Sequence, residues 1–227
     1  MASQVIVSCE HGGNRIPGRY RSLFAHRERL LRSHGGYDRG ALGLARWLAA
    51  RLDAPLYAAT VSRLLVDLNR SLHNPRVFSD ITRSLSPAER ERIVDRYYRP
   101  HRGRIVNHMR ELTAGSVRVI HLAVHTFTPR LGGVTRTADV GLLYDPHRRS
   151  ELDFCIKWQQ HIARTSPALR VRRNYPYRGT ADGLTPHLRR HLPPSLYAGI
   201  ELEVNQRLVT QAGSVAAEIR EALVPVL

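Results

Sequence analysis

Short apolar runs alternate with amphipathic stretches along this chain. Val5–Cys9, Leu56–Ala59, Leu64–Asp67, Val117–Val124, Val140–Leu143, Val171–Arg173 and Gly199–Val204 read as strands. Most are apolar without a break, as strands buried on both faces are. Between them, Ala41–Leu52 sets Leu42, Leu44, Ala45, Leu48 and Ala49 on one helical stripe. Ser86-Pro87-Ala88-Glu89 is a capping box with proline in the first turn. The helix it opens is expected to reach about Arg110, with a bend or break at Pro100. Glu151–Arg164 and Ser214–Leu223 are the other clear helices, and Arg173–Pro194, dense in Pro, Gly, Asn and Asp, reads as an active-site loop. This alternation predicts an α/β fold of three αβα layers around a mixed, mainly parallel sheet, in one domain over residues 1–227.

Composition narrows the class. No apolar run approaches the roughly 20 residues of a membrane helix, and the N-terminus shows neither a basic n-region nor a cleavage-like segment. A cytoplasmic protein without membrane contact is expected. Cys9 and Cys155 are the only cysteines, which excludes a disulfide framework and leaves Cys9 as a buried thiol. The net charge of +16 suggests nucleic acid, but the distribution opposes it. Lys157 is the sole lysine among 35 lysine and arginine residues, and the arginines are scattered without a basic arm. No nucleic-acid partner is expected; some arginines suit carboxylate recognition instead.

Two strands deliver a histidine to their carboxyl end. His11 follows Val5–Cys9 and precedes Gly12-Gly13, and His125 follows Val117–Val124. Ligands of open α/β sheets sit beyond such strand ends, so the pair reads as two ligands of a catalytic metal. Asp38, just ahead of the helix at Ala41, is either a helix-dipole charge or a third ligand. Asp67, Asn69 and Arg70 end another apolar run; Asp67 reads as an arginine's ion-pair partner, leaving Asn69 and Arg70 for a substrate carboxylate. On the strand Gly199–Val204, period two puts Glu201 and Glu203 on one face, and a glutamate aimed at a metal cleft is a natural general base. His121 shares a face with His125 as a supporting group; His101 and the remaining histidines read as structural or surface residues.

Together these motifs resemble the N-formylglutamate amidohydrolase family: Ser8-Cys9-Glu10-His11-Gly12-Gly13-Asn14, His34 with Asp38-Arg39-Gly40-Ala41, Ser62 to Ser71, His125-Thr126-Phe127-Thr128-Pro129, Gly141 to Pro146, Asn174-Tyr175-Pro176-Tyr177, and Gly199 to Gln206. The family is similar to zinc carboxypeptidase and aspartoacylase-type hydrolases with a phosphorylase/hydrolase-like fold. The resemblance implies zinc-dependent cleavage of the amide of a small N-acyl amino acid, with N-formyl-L-glutamate giving formate and glutamate, as in histidine degradation. It implies Zn2+ on His11, His125 and Asp38, Glu203 as base, and Arg63 beside the oxyanion. Asn69 and Arg70 would hold one substrate carboxylate, and Arg136 or Arg178 a second. Two departures stand out. Asn14 occupies the place where the carboxypeptidase-like relatives carry a ligating glutamate, which leaves Glu10 and His34 as alternatives to Asp38. Glu10-His11 replaces the Pro-His of the histidine-degradation enzymes, which points to a broader subgroup. A same-fold hydrolase of another small amide, and a non-catalytic anion-binding protein, are the alternatives.

Overall fold

The apolar runs become strands because only a hydrogen-bonded sheet satisfies their backbone once both faces are covered. The computed structural model describes residues 2–226. Its strands are β1 (Ser3–Cys9), β2 (Leu56–Ala58), β3 (Arg118–Phe127), β4 (Arg130–Leu131), β5 (Val134–Thr135), β6 (Val140–Leu143), β7 (Val171–Arg173) and β8 (Tyr197–Asn205). Six form one sheet in the order β2-β1-β3-β8-β6-β7, and β4 with β5 makes a small hairpin. β2, β1, β3 and β8 run parallel. β6 is antiparallel to β8, and β7 follows β6 in parallel. The sheet is mixed and mainly parallel, as the pattern predicts.

The helices are α1 (Glu28–Leu31), α2 (Ala41–Arg51), α3 (Asp80–Arg83), α4 (Pro87–Ile93), α5 (Arg99–Ala114), α6 (Arg149–Thr165), α7 (Leu184–His191) and α8 (Ala217–Ala222). One face of the sheet is apolar throughout: Val7, Leu122, Leu202 and their neighbours pack against Leu44 and Leu48 of α2 and Trp158 and Ile162 of α6. Truncating such a side chain to alanine costs about 2–5 kcal/mol. The other face is apolar at its base, where Ile6, Val119 and Tyr197 meet Ile105 and Met109 of α5 and Leu184 and Leu188 of α7. Toward the carboxyl ends of the parallel strands this face turns polar, with Ser8, His121, His125, Glu201 and Glu203 all buried. A smaller core of Tyr20, Phe24, Leu65, Val66, Leu68, Ile93 and Tyr98 lies apart from the sheet. Among the described residues no helix is long and apolar enough to cross a membrane.

Several boundaries differ from the sequence reading. Leu64–Asp67 is not a strand: Leu65, Val66 and Leu68 bury into the smaller core, and Asp67 N–H donates to Val77 O. Its apolar character serves a compact turn segment instead of a ladder. Pro100 does not break its helix, because a π-helical turn over Val94–Tyr98 joins α4 to α5 and puts the proline in the first turn of α5. The Arg173–Pro194 segment is not all loop; it contains α7, whose Leu184 and Leu188 are buried. The last helix is confined to Ala217–Ala222. β3 continues past His125 to Phe127, paired throughout with β8.

Candidate active site

After β1 the chain turns through Glu10-His11-Gly12-Gly13. A Cβ on Gly13 would lie 2.7 Å from Thr60 O, so the turn is pressed against that backbone and needs glycine. The His11 carbonyl accepts from Asp38 N–H at 2.9 Å, which hangs the Asp38 loop beside it. His125 arrives from β3. Its neighbour in register on β8 is Glu203, and Glu203 faces Gly141 on β6, where a Cβ would lie 1.9 Å from Tyr175 O.

Three of these side chains converge. His125 Nδ1 is 2.9 Å from Asp38 Oδ2, and His11 Nδ1 is 3.4 Å from the same oxygen. One donor atom from each of His11, Asp38 and His125 lies within 4.8 Å of the others. His11 Nε2 is engaged from behind by Asp67 Oδ1 at 2.7 Å, while its buried Nδ1 has no hydrogen-bond partner. Two imidazole nitrogens and one carboxylate oxygen around an unsatisfied buried nitrogen fit a tetrahedral divalent cation such as zinc, and these residues could hold one.

Charge around the cluster is dense and paired. Arg63 bridges the two acids, with Nη1 3.3 Å from Asp38 Oδ1 and Nη2 3.1 Å from Asp67 Oδ2. Arg70 Nε adds a second cation 3.2 Å from Asp67 Oδ2. Burial alone would raise both carboxyls, but His11 and Arg63 outweigh it and hold them well below the usual carboxylate range. Burial likewise opposes charge on the imidazoles. Asp67 and Asp38 nevertheless raise His11, and Asp38 with Glu10 raises His125. At Glu203 the balance reverses, because burial outweighs His125 and Arg63. Burial pushes its carboxyl up to about 8, and its Oε2 is buried without a hydrogen bond.

The cleft above the cluster, about 190 Å3, is lined by Arg63, Asn69, Arg70, Arg178 and Glu203 together with the donor residues. Not every candidate sits where the sequence suggests. Asn14 turns away and donates to Leu31 O at 3.1 Å. His34 lines the cleft outside the cluster, and Glu10 lies behind His125. Asn69 is partly committed, since its Oδ1 accepts from Leu184 N–H at 2.8 Å and caps α7. Arg136 is absent from the lining. It is buried with its guanidinium over the Phe127 and Tyr177 rings and donates to the Tyr177 hydroxyl. Glu201 does line the cleft, bound by the Thr185 hydroxyl at 2.5 Å. His121 does not touch His125; it joins Ser8 to the Tyr197 hydroxyl.

Two contributors escaped the sequence reading. Asp67 pairs with arginines as expected, but its grip on the back of His11 has no local signal. Arg102 of α5 donates to the carbonyls of Leu68, Asn69 and Arg70, clamping the segment that carries the cleft residues. Nothing distinguishes it in sequence from the other arginines.

The family model described as N-formylglutamate amidohydrolase matches residues 3–210. Among solved structures, the chain is similar to a gene product of Agrobacterium tumefaciens, with 28% identity, 97% of this chain and 86% of that one covered, and a TM-score of 0.77. It shares its fold with N-formylglutamate amidohydrolase from Ralstonia eutropha JMP134, at 19% identity, 98% and 90% coverage and a TM-score of 0.75. No curated protein matches the chain. With its mixed sheet and a family match across nearly its whole length, the chain belongs to the N-formylglutamate amidohydrolase family, hydrolases that act on an amide bond.

Proposed function

We propose that this amidohydrolase is metal-dependent and cleaves the N-acyl amide of an acidic amino acid, with N-formyl-L-glutamate the favoured substrate. The observation that carries the reading is the convergence of His11, Asp38 and His125 beside Glu203. A divalent cation bound there supplies Lewis-acid polarisation of the amide carbonyl and acidifies a water. The protein's own groups do the rest. Glu203, facing the donor cluster from β8, takes the proton of the attacking water and returns it to the leaving amine. Arg63, held in place by two carboxylates, presents its positive charge to the oxyanion. Arg70 and Arg178 line the same cleft and offer guanidinium groups to the two carboxylates of the substrate. The small cleft suits an acyl amino acid better than a long peptide.

The test is a panel of N-acyl amino acids assayed with Zn2+-loaded protein. N-formyl-L-glutamate should give the highest kcat/KM, and replacing its side-chain carboxylate by a methyl group should lower kcat/KM about 10-fold or more. Full turnover by protein stripped of metal would reject the metal; a preference for neutral acyl amino acids would reject the substrate class.

A further inference from the structure

Glu10 has no exposed surface, and neither of its carboxylate oxygens makes a hydrogen bond of good geometry. An acid in that position destabilises the fold unless its charge serves its neighbours. Those neighbours are two buried imidazoles. His125 Nε2 lies 3.2 Å from Glu10 Oε2, and His101 Nε2, reaching in from α5, lies 3.9 Å from Oε1. His125 turns its other nitrogen, Nδ1, to Asp38 in the donor cluster.

This arrangement has a counterpart across the site. Asp67 meets Nε2 of His11, and the Nδ1 of that ring faces the cluster. An ionised carboxylate only accepts hydrogen bonds. Placed at Nε2 it takes an N–H there and leaves the lone pair on Nδ1; Asp38 also meets His125 Nδ1, at 2.9 Å, but as the other donor to the same cation. Both histidines are thus backed at Nε2 by an acid and directed inward at Nδ1. Glu10 reaches its ring from the edge opposite the cluster, so it is not itself a donor to the cation.

We propose that Glu10 is a positioning residue for His125: it accepts the Nε2 proton, fixes the tautomer that offers Nδ1 to the cation, and is steadied in turn by His101. The inference rests on the metal reading above. Supporting groups of this kind change metal affinity by roughly 10–100-fold, and an amide at the same position could donate as readily as accept.

The experiment compares wild type with Glu10→Gln by chelator-competition titration of Zn2+, with thermal melting of both metal-free proteins as the folding control. Long-range proton–nitrogen NMR spectra of the Zn2+-loaded wild type then report which His125 nitrogen carries the proton. Expected are an Nε2 proton on His125 and, for a folded Glu10→Gln protein, Zn2+ affinity weaker by about 10-fold or more. A Glu10→Gln affinity within about two-fold of wild type overturns the inference alone. So does an Nδ1 proton on His125 in the wild type, which decides the matter even if the variant does not fold. A wild type that takes up no Zn2+ overturns the metal reading and this inference together.

Discussion

Glu203 stands directly across from His125 in the parallel register of β3 and β8. The pairing of two backbone ladders, and not a flexible loop, therefore holds the proposed general base beside the donor cluster. Glu203→Gln should retain bound Zn2+ and lower kcat by roughly 100-fold or more. Metal content and turnover measured on the same sample check this; near-normal turnover removes Glu203 from the mechanism.

Asp38 and Asn14 make opposite predictions. Asp38→Asn should weaken Zn2+ binding by about 100-fold, because an amide is a poor zinc ligand. Asn14→Ala should leave it unchanged, since its side chain is spent on Leu31 O. Isothermal titration of the two variants separates them, and a loss at Asn14 would move the third ligand.

Arg178 and Arg136 differ in the same way. Arg178 lines the cleft and is exposed. Arg178→Ala should raise KM for N-formyl-L-glutamate by about 10-fold while leaving the melting temperature alone. Arg136 is packed over Phe127 and Tyr177, so Arg136→Ala should instead lower stability by about 1–3 kcal/mol. Steady-state kinetics and denaturant melts on both variants read the contrast.

His121 predicts a pH dependence of stability. Burial lowers its pKa to about 4, below the ordinary value of roughly 6.5. The folded state therefore resists the proton that the unfolded chain accepts. Its contribution is present above pH 6.5 or so, and is lost as the pH falls toward 4. His121→Gln, which cannot titrate, should flatten that slope, by an amount on the order of 3 kcal/mol in the difference between wild type and variant. Urea melts at several pH values would show parallel curves if His121 were not the group responsible.

Much of this arrangement was legible in sequence where a short period governs it. Apolar runs ending at His11 and near His125, and the alternation that aims Glu201 and Glu203 together, depend only on neighbours in the chain. Asp38 was legible as the candidate third donor, but its placement beside His11 was not, because that depends on a loop hung from the His11 carbonyl. Asp67 at the back of His11 and Arg102 over the 68–70 carbonyls join segments 56 and more than 30 residues apart, and no local pattern encodes such meetings. The run Leu64–Asp67 misled because burial in a small core selects the same residues as a strand. In α7, the Pro186 and Gly183 that suggest a loop instead belong to the first turn of a helix and the position before it.

The smaller core around Leu65 and Ile93 has a consequence for how the enzyme fails. Asp67, Asn69 and Arg70 ride on that unit, whereas His11 and His125 are tied to the central sheet. The smaller unit should open first, breaking the ties of residues 68–70 to Arg102 and Leu184, since local unfolding follows such packing boundaries. Opening the smaller one would carry Arg70 and Asn69 out of the cleft and release the back of His11, while the inward-facing nitrogens stayed on the sheet. Amide hydrogens of residues 65–68 should then exchange sooner than those of β3, and mild denaturant should abolish substrate turnover before it dislodges the cation. Recognition and metal retention would be lost in two steps because they belong to different cooperative units of one chain.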